Sequence, residues 1–167
     1  EGTMKRRITL FLVILLLLAT TTSASAQAYS FSLDREVVHV FWNSDGSVSL
    51  DYTFVFGNDQ GAHVIDFVDV GMPNGNYDFN SISADVDGHA LTISSDFQGD
   101  GAYGFSVDMG AYAIPPGATG HVHVVIGRIT HMLYNDENEP KTYASGEFAP
   151  AYFTTAHGNT DLTVIFH

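Results

Sequence analysis

The sequence predicts an all-β protein: an antiparallel, immunoglobulin-like β-sandwich of about eight or nine strands, preceded by an N-terminal signal helix. Apolar and polar residues alternate with a period of two over most of the chain. Clusters of Gly, Pro, Asn and Asp separate the alternating segments. No segment after the signal shows a sustained amphipathic helical period. A jelly roll or a small barrel is the alternative all-β arrangement.

Residues 1–26 are predicted to be a secretory signal that does not belong to the fold. Three cations follow Met4, residues 8–19 form a largely apolar stretch, and Ala24-Ser25-Ala26 supplies a small-residue cleavage site. The apolar stretch is shorter than the roughly 20 residues of a membrane-spanning helix. An uncleaved signal anchor is the alternative interpretation. Glu1-Gly2-Thr3 is interpreted as a non-native or read-through lead before the start at Met4.

Residues 27–167 are predicted to form a single domain, secreted or on the extracellular side of the cell membrane. They keep three cations against 18 carboxylates, and the whole chain has a net charge of −13. Because nucleic-acid binding needs clustered cations, this charge excludes a nucleic-acid partner. The chain has no cysteine, which excludes disulfides, thiolate metal sites and cysteine catalysis.

The first hairpin is predicted from alternation and turn chemistry. In residues 47–56 the even positions are all apolar and, apart from Val55, the odd positions are polar, which indicates a strand with one face on a core. Residues 37–42 form the preceding strand. Asp45-Gly46 between them supplies the positive φ of a tight turn.

A second hairpin is predicted at Asp87-Gly88, where residues 81–86 alternate towards the turn and Leu91 and Ile93 alternate away from it. The last predicted strand ends the sequence with no turn or polar tail after it, which favours a domain truncated at its C-terminus over one closed by a terminal strand. The further predicted strands cover residues 63–70, 103–109, 120–130, 142–148 and 161–167.

Four segments carry a resemblance to a known group of proteins: FWNSDGSVSLDYTFVF, GAHVIDFVDVGMPNGNY, AIPPGATGHVHVVIG and GNTDLTVIF. The chain resembles the extracellular β-sandwich region of uncharacterised, signal-peptide-bearing bacterial membrane proteins, a domain of unknown function with an immunoglobulin-like fold. The resemblance covers residues 29–167. It implies an ectodomain with no catalytic residue to carry over, held at the membrane only through the signal segment or a missing C-terminal anchor.

His121 and His123 are the first candidate metal ligands. They lie two residues apart on one predicted strand, so both imidazoles face the same side, and imidazole binds zinc or copper. Further ligands would come from nearby aspartates or from other histidines. The alternative is two histidines on a solvated strand face. The other candidate histidines are His39, His63 and His89.

Acidic turns make calcium the other candidate cofactor. Asp85 and Asp87 lie in one glycine-containing turn, and Asp96 and Asp100 lie in another. Such turns can wrap carboxylate oxygens around a cation. A tight hairpin, however, selects Asp-Gly without any metal. Residues 136–139 are a third acidic cluster, with a solvated loop as the alternative.

Catalysis has little support in the sequence. Motifs for a nucleophile elbow, a phosphate-binding loop and a zinc-peptidase helix are absent from it. Asp66 and Asp69 interrupt an apolar predicted strand, so one of them should point inward or lie at an edge. An inward carboxyl would have a perturbed pKa. A hydrolase on a β-sandwich scaffold is the second alternative function.

Carbohydrate binding is, with calcium binding, the first alternative function, because β-sandwich modules stack sugars on exposed aromatic rings. Trp42 follows the alternating face of its strand and is predicted to pack in the core. Several tyrosines near turns could form a sugar platform, and the alternative is that they are half-buried strand aromatics. These tyrosines are Tyr103, Tyr112, Tyr134, Tyr143 and Tyr152.

The signal, the single-domain strand pattern and the lack of a catalytic motif predict an exported, non-enzymatic domain with a structural or interaction role at the cell surface. Its partner would be a protein or a glycan. A rigid sandwich would present its loops to that partner. The loops are residues 71–77, 96–104 and 134–142.

Overall fold

The structure, a computed structural model, describes residues 28–135, 140 and 143–167. The predicted signal, residues 1–26, and the acidic cluster, residues 136–139, lie outside the described residues. None of the described residues forms a helix long and apolar enough to cross a membrane.

The described residues form strands and two short 3-10 turns, without an α-helix, which confirms the predicted all-β class. The strands are β1 (Phe31–Trp42), β2 (Val48–Asn58), β3 (Phe67–Gly71), β4 (Ile82–Val86), β5 (His89–Ala90), β6 (Thr92–Ser94), β7 (Gly104–Asp108), β8 (Thr119–Ile129), β9 (Leu133–Asn135), β10 (Ala144–Gly146) and β11 (Asp161–Phe166).

Three sheets are formed by these strands. A six-stranded sheet has the order β11-β1-β2-β8-β4-β5, a three-stranded sheet has the order β3-β7-β6, and β9 pairs with β10 alone. One pair departs from the predicted antiparallel arrangement, because β11 runs parallel to β1. The chain reaches this edge after a long irregular segment that follows β10, as a parallel pairing requires. The immunoglobulin-like arrangement of the strands stays a prediction.

Both predicted turns have the backbone that their residues favour. Gly46 has a φ of 81°, and the carboxylate of Asp45 accepts a hydrogen bond from the backbone N–H of Ser47. Asp87 and Gly88 have φ values of 51° and 80°, so both central residues of this hairpin are left-handed, as in a type I′ turn.

The second predicted hairpin divides between two sheets. β5 pairs with β4 in the six-stranded sheet, whereas β6 pairs with β7 in the three-stranded sheet. Leu91 lies between them, packs against the core and donates its N–H to the carbonyl of Ala84. The chain therefore passes from one layer to the other at Leu91.

One core lies between the two larger sheets. The even positions of β2 are buried, as the alternation predicted, and the largest of them are Tyr52, Phe54 and Phe56. Phe105 and Val107 of the three-stranded sheet belong to the same buried cluster. Trp42 is partly buried against it, in line with its predicted packing role.

Candidate functional site

His123 bridges three strands on the outer face of the six-stranded sheet. Its Nε2 lies 3.0 Å from Oδ1 of Asp51 in β2, and its Nδ1 lies 2.7 Å from Oδ2 of Asp85 in β4. Partial burial lowers the pKa of His123, but hydrogen bonds to Asp85 and Asp51 and the attraction of their charges outweigh it, so the net pKa is raised. Both ring nitrogens donate in the imidazolium form, which suits a charged bridge.

The other candidate metal ligands lie apart from this bridge. His121 is on the same face of β8, opposite Val55. Asp87 sits in the β4–β5 turn with a positive φ. Asp96 is exposed in the loop after β6, and in that same loop Asp100 accepts a hydrogen bond from the hydroxyl of Thr154.

Within residues 28–135, 140 and 143–167, no three His, Asp or Glu side chains form a group that could hold a metal ion. The remaining candidate histidines have other contacts. His39 hydrogen-bonds His167, with 2.8 Å between their ring nitrogens. His63 contacts the carbonyl of Val64, and His89 stacks on Tyr112. Calcium and zinc binding stay predictions.

A serine, an aspartate and a histidine meet at one end of β1, but not as a catalytic triad. The hydroxyl of Ser30 donates to Oδ2 of Asp59 at 2.5 Å, and Nε2 of His157 lies 2.8 Å from the same oxygen. In a triad the serine must donate to the histidine, which then removes its proton. Here Asp59 holds the central position, so the serine is not activated as a nucleophile.

A cleft of about 570 Å³ opens on the surface of the described residues. Its volume falls within the range of small-molecule sites. Its lining is mostly apolar and aromatic, and contains no Lys or Arg among the described residues. The aromatic side chains that line it include Tyr29, Phe31, Phe56, Phe67, Phe97 and Phe153.

The cleft lies between the three-stranded sheet and the segment that precedes β11. β3 and the loop carrying Phe97 form one wall, and residues 149–155 form the other. Phe31 of β1 and Phe56 of β2 pack edge to face, with ring centroids 5.9 Å apart, and form part of the floor. The site therefore depends on both layers of the fold.

The loop carrying Phe97 closes the outer face of the three-stranded sheet. A Cβ added at Gly104 would lie 2.4 Å from the Phe97 ring, and one added at Gly99 would lie 2.6 Å from it. Only glycine therefore allows this ring to lie flat against the strand.

Asp69 is the buried polar group of the cleft. Its Oδ2 accepts a hydrogen bond from the N–H of Gln98, whereas its Oδ1 is buried without a hydrogen-bond partner among the described residues. Burial raises the pKa of Asp69, against the opposing effect of hydrogen bonds from Ser106 and Gln98. Asp69 lies on β3, an edge strand of its sheet, which is one of the two positions predicted for a strand aspartate. The other strand aspartate, Asp66, accepts a hydrogen bond from the Tyr29 hydroxyl at 2.6 Å.

The candidate sugar-binding tyrosines are exposed, but they do not form one platform. Tyr152 is 82% exposed and lines the cleft. Tyr103 lies over Gly75, and Tyr112 stacks on His89. Tyr134 lines a second, smaller cavity. Sequence patterns identified these tyrosines but not the five phenylalanines that line the cleft.

Comparison with solved structures finds distant β-rich neighbours. An M1 zinc metallopeptidase from Deinococcus radiodurans aligns at 14% identity and a TM-score of 0.44, over 71% of this chain and 25% of that one. Yeast LTA4 hydrolase in complex with bestatin aligns at 10% identity and a TM-score of 0.42, over 66% of this chain and 17% of that one. The chain thus spans about a quarter or less of these proteins, and a likeness at this level does not extend to activity. No protein-family model and no curated protein matches the chain.

A prediction follows from the His123 bridge. We expect His123→Gln to lower the free energy of unfolding by about 1 kcal/mol at pH 5.5, because half-exposed ion pairs contribute about 0.2–1 kcal/mol. The pKa of His123 is raised in the folded protein, so the bridge stabilises fully below about pH 6.5 and weakens as the pH rises through the folded value. The pKa of Asp85 is lowered, chiefly by its hydrogen bond to His123, so the bridge also weakens in strong acid.

Urea unfolding at pH 5.5 and pH 9 measures this effect. The matched control is His121→Gln, on the same strand and face, which should change stability at neither pH. A loss for His123→Gln that is as large at pH 9 as at pH 5.5 would show that the bridge is not charged.

Proposed function

We propose that this chain is an exported, non-enzymatic binding domain of the immunoglobulin-like sandwich type, with its ligand site in the cleft between β3 and residues 149–155. The supporting observation is a mostly apolar cleft, rich in aromatic rings, that contains one buried carboxylate oxygen without a partner among the described residues. Large apolar clefts with a few convergent polar groups are the usual form of a ligand site.

The role of binding rather than catalysis is supported by the contacts of the polar groups. Asp69 is covered by the Phe97 loop, and Asp100 accepts a hydrogen bond from Thr154. Among the described residues, neither carboxylate is hydrogen-bonded to a histidine or to a second carboxyl group. Export is supported by the predicted signal, and a mature N-terminus at Gln27 would test it.

A small neutral aromatic molecule tests whether the cleft accepts a ligand. We expect 2-phenylethanol to raise the thermal midpoint of the full chain, because a ligand that binds only the folded state stabilises it. Its size implies a dissociation constant on the order of 10 mM. Thr155→Trp should abolish the shift, because Thr155 lines the cleft and the indole would fill it.

The control is Thr160→Trp, which introduces the same ring at an exposed position outside the cleft. It should leave the response to 2-phenylethanol unchanged. A shift that survives in Thr155→Trp would place the ligand elsewhere and contradict the proposal.

A neutral sugar is the second candidate ligand, favoured by Tyr152, whose ring is exposed at the cleft. Exposed aromatic rings are suited to stacking one face of a sugar. Methyl β-D-glucopyranoside is the probe for this alternative. If the sugar binds and Tyr152→Ala abolishes the binding, the result would support this alternative. Binding of the sugar at least 100-fold weaker than that of 2-phenylethanol would exclude it.

A further inference from the structure

The edge of β3 that faces the cleft has unpaired main-chain groups. On its other side β3 pairs with β7, and the flanking bonds run from Met109 N–H to Asp66 O and from Met72 N–H to Tyr103 O. Main-chain groups of successive residues point to opposite edges of a strand. Even-numbered residues of β3 therefore bond β7, and Phe67, Asp69 and Gly71 direct their N–H and C=O groups to the opposite edge.

No described residue bonds to these groups. The main-chain N–H and C=O of Phe67, Asp69 and Gly71 have no hydrogen-bond partner among residues 28–135, 140 and 143–167. Just before them, Ile65 exchanges both of its main-chain bonds with Ile114. The strand edge is therefore paired as far as Ile65 and open from Phe67 to Gly71.

The open edge and the cleft coincide. Phe67, Asp69 and Gly71, the three residues of the open edge, all line the cleft, together with Val68. A Cβ added at Gly71 would meet no atom within 4 Å, so there is free space above the strand at this residue. Across the cleft, residues 149–155 make no main-chain bond to β3.

We infer that the cleft binds an extended peptide, which adds to the edge of β3 as a fourth strand and places a basic side chain opposite Asp69. The inference rests on the proposed function and names its ligand. Edge addition of this kind derives affinity from main-chain bonds and specificity from alternate side chains. The added strand would supply hydrogen-bond partners for the three N–H and three C=O groups of Phe67, Asp69 and Gly71.

The pattern of the peptide follows from the alternation of the strand. The residue opposite Asp69 points to the same face as Asp69, so a basic side chain there lies beside this carboxylate. The residues on either side of it point inward, over Phe31 and Phe56 of the floor. A basic residue flanked by two apolar ones, such as Val-Lys-Val, meets both requirements. The absence of described Lys and Arg from the lining favours a cation as well.

The probe is acetyl-Thr-Val-Lys-Val-Thr-amide, titrated into the full chain. The N–H of its Lys should face β3, and the N–H of each Val should face away. We expect N-methylation at Lys to weaken binding at least tenfold, and N-methylation at the second Val to change it less than twofold. Equal effects of the two methylations would overturn the inference.

Amide hydrogen exchange identifies the edge that binds. On saturation with the peptide, the amides of Phe67, Asp69 and Gly71 should exchange at least tenfold more slowly, while those of Val68 and Val70 should not change. Peptide binding without this alternation would overturn the inference. So would protection that depends on protein concentration instead of peptide, because a second copy of the chain would then occupy the edge.

The basic side chain is tested separately. Replacing Lys of the peptide with norleucine should weaken binding about fivefold to tenfold, and Asp69→Asn should remove this preference. Asp96→Asn is the matched control, because Asp96 is exposed on the loop that carries Phe97 but does not line the cleft. A preference that both variants keep would mean that the charge of Asp69 plays no part.

Failure of the inference is distinguishable from failure of the proposed function. If 2-phenylethanol binds in the cleft and the peptide does not, the inference is wrong and the proposed function stands. If neither binds, both are wrong.

Discussion

We expect Glu36→Gln to raise the free energy of unfolding by about 2–3 kcal/mol at pH 8 and to leave it unchanged at pH 4.5. Glu36 is 3% exposed, and its Oε1 is buried without a hydrogen-bond partner among the described residues. Burial raises its pKa from 4.5 to about 7. One pKa unit corresponds to about 1.4 kcal/mol, and water penetration keeps the effect somewhat below the full value.

The pH dependence has a definite sign. Below about pH 4.5 Glu36 is protonated in both the folded and the unfolded chain, so its ionisation does not lower the free energy of unfolding. Between pH 4.5 and pH 7 the unfolded chain releases its proton while the folded protein retains it, and stability falls as the pH rises. Above about pH 7 Glu36 is ionised in both states, so the free energy of unfolding does not fall further. The Gln variant carries no charge and avoids this loss.

Urea unfolding at the two pH values measures the difference. Glu147→Gln is the matched control, because it makes the same change at an exposed position, and it should have little effect at either pH. Equal stability of wild type and Glu36→Gln at pH 8 would show that the buried carboxyl is solvated or paired.

Phe153→Ala should lower the free energy of unfolding by about 2–3 kcal/mol and remove one wall of the cleft. The ring of Phe153 packs edge to face on Phe54 and Phe56, with centroids 5.6 and 5.3 Å apart. Truncating a fully buried Phe costs about 3–5 kcal/mol, and Phe153 is only partly buried. Its loss should also release residues 149–155 from the core and weaken binding of 2-phenylethanol.

Tyr152→Ala is the control for this variant. Tyr152 is the preceding residue and is 82% exposed, so its removal should change stability by less than about 0.5 kcal/mol. If the two variants are equally stable in urea, the contact between Phe153 and the core does not hold this wall in place.

Much of the six-stranded sheet could be predicted, because its strands have one buried and one solvated face. The alternation of residues 47–56 matches β2, and the turns at Asp45 and Asp87 have the expected backbone. The predicted strand at residues 37–42 is the second half of β1. Val38 points inward, and residues two apart on a strand face the same side, so the alternation would have placed Glu36 in the core as well.

The three-stranded sheet was harder to predict because tertiary contacts decide its limits. The predicted strand at residues 63–70 begins only at Phe67, since Ile65 pairs with Ile114 instead. β6 does not belong to the predicted hairpin, because it pairs with β7. This pairing joins residues that are distant in the sequence, and no local sequence pattern predicts it. A register shift between Leu33 and Arg35 adds one residue to β1, which also changes the parity of that strand.

The cleft could not be found from the sequence, because its residues come from distant segments. Phe31, Phe67, Phe97 and Phe153 each fit an ordinary strand or loop position, and only the packing of the two layers brings them together. Asp69 was the one local signal, as a carboxylate within an apolar strand. His121 and His123 were prominent in the sequence, yet the fold places both on the outer face of the six-stranded sheet.

The claim that the cleft is the binding site is tested most directly by mapping backbone amide shifts of the full chain with 2-phenylethanol. The account expects shifts at Phe67, Gly71, Gly99 and Thr155, which line the cleft, and none at Thr53 and His121 on the outer face of the six-stranded sheet. Shifts centred on that outer face, with the cleft amides unchanged, would contradict it.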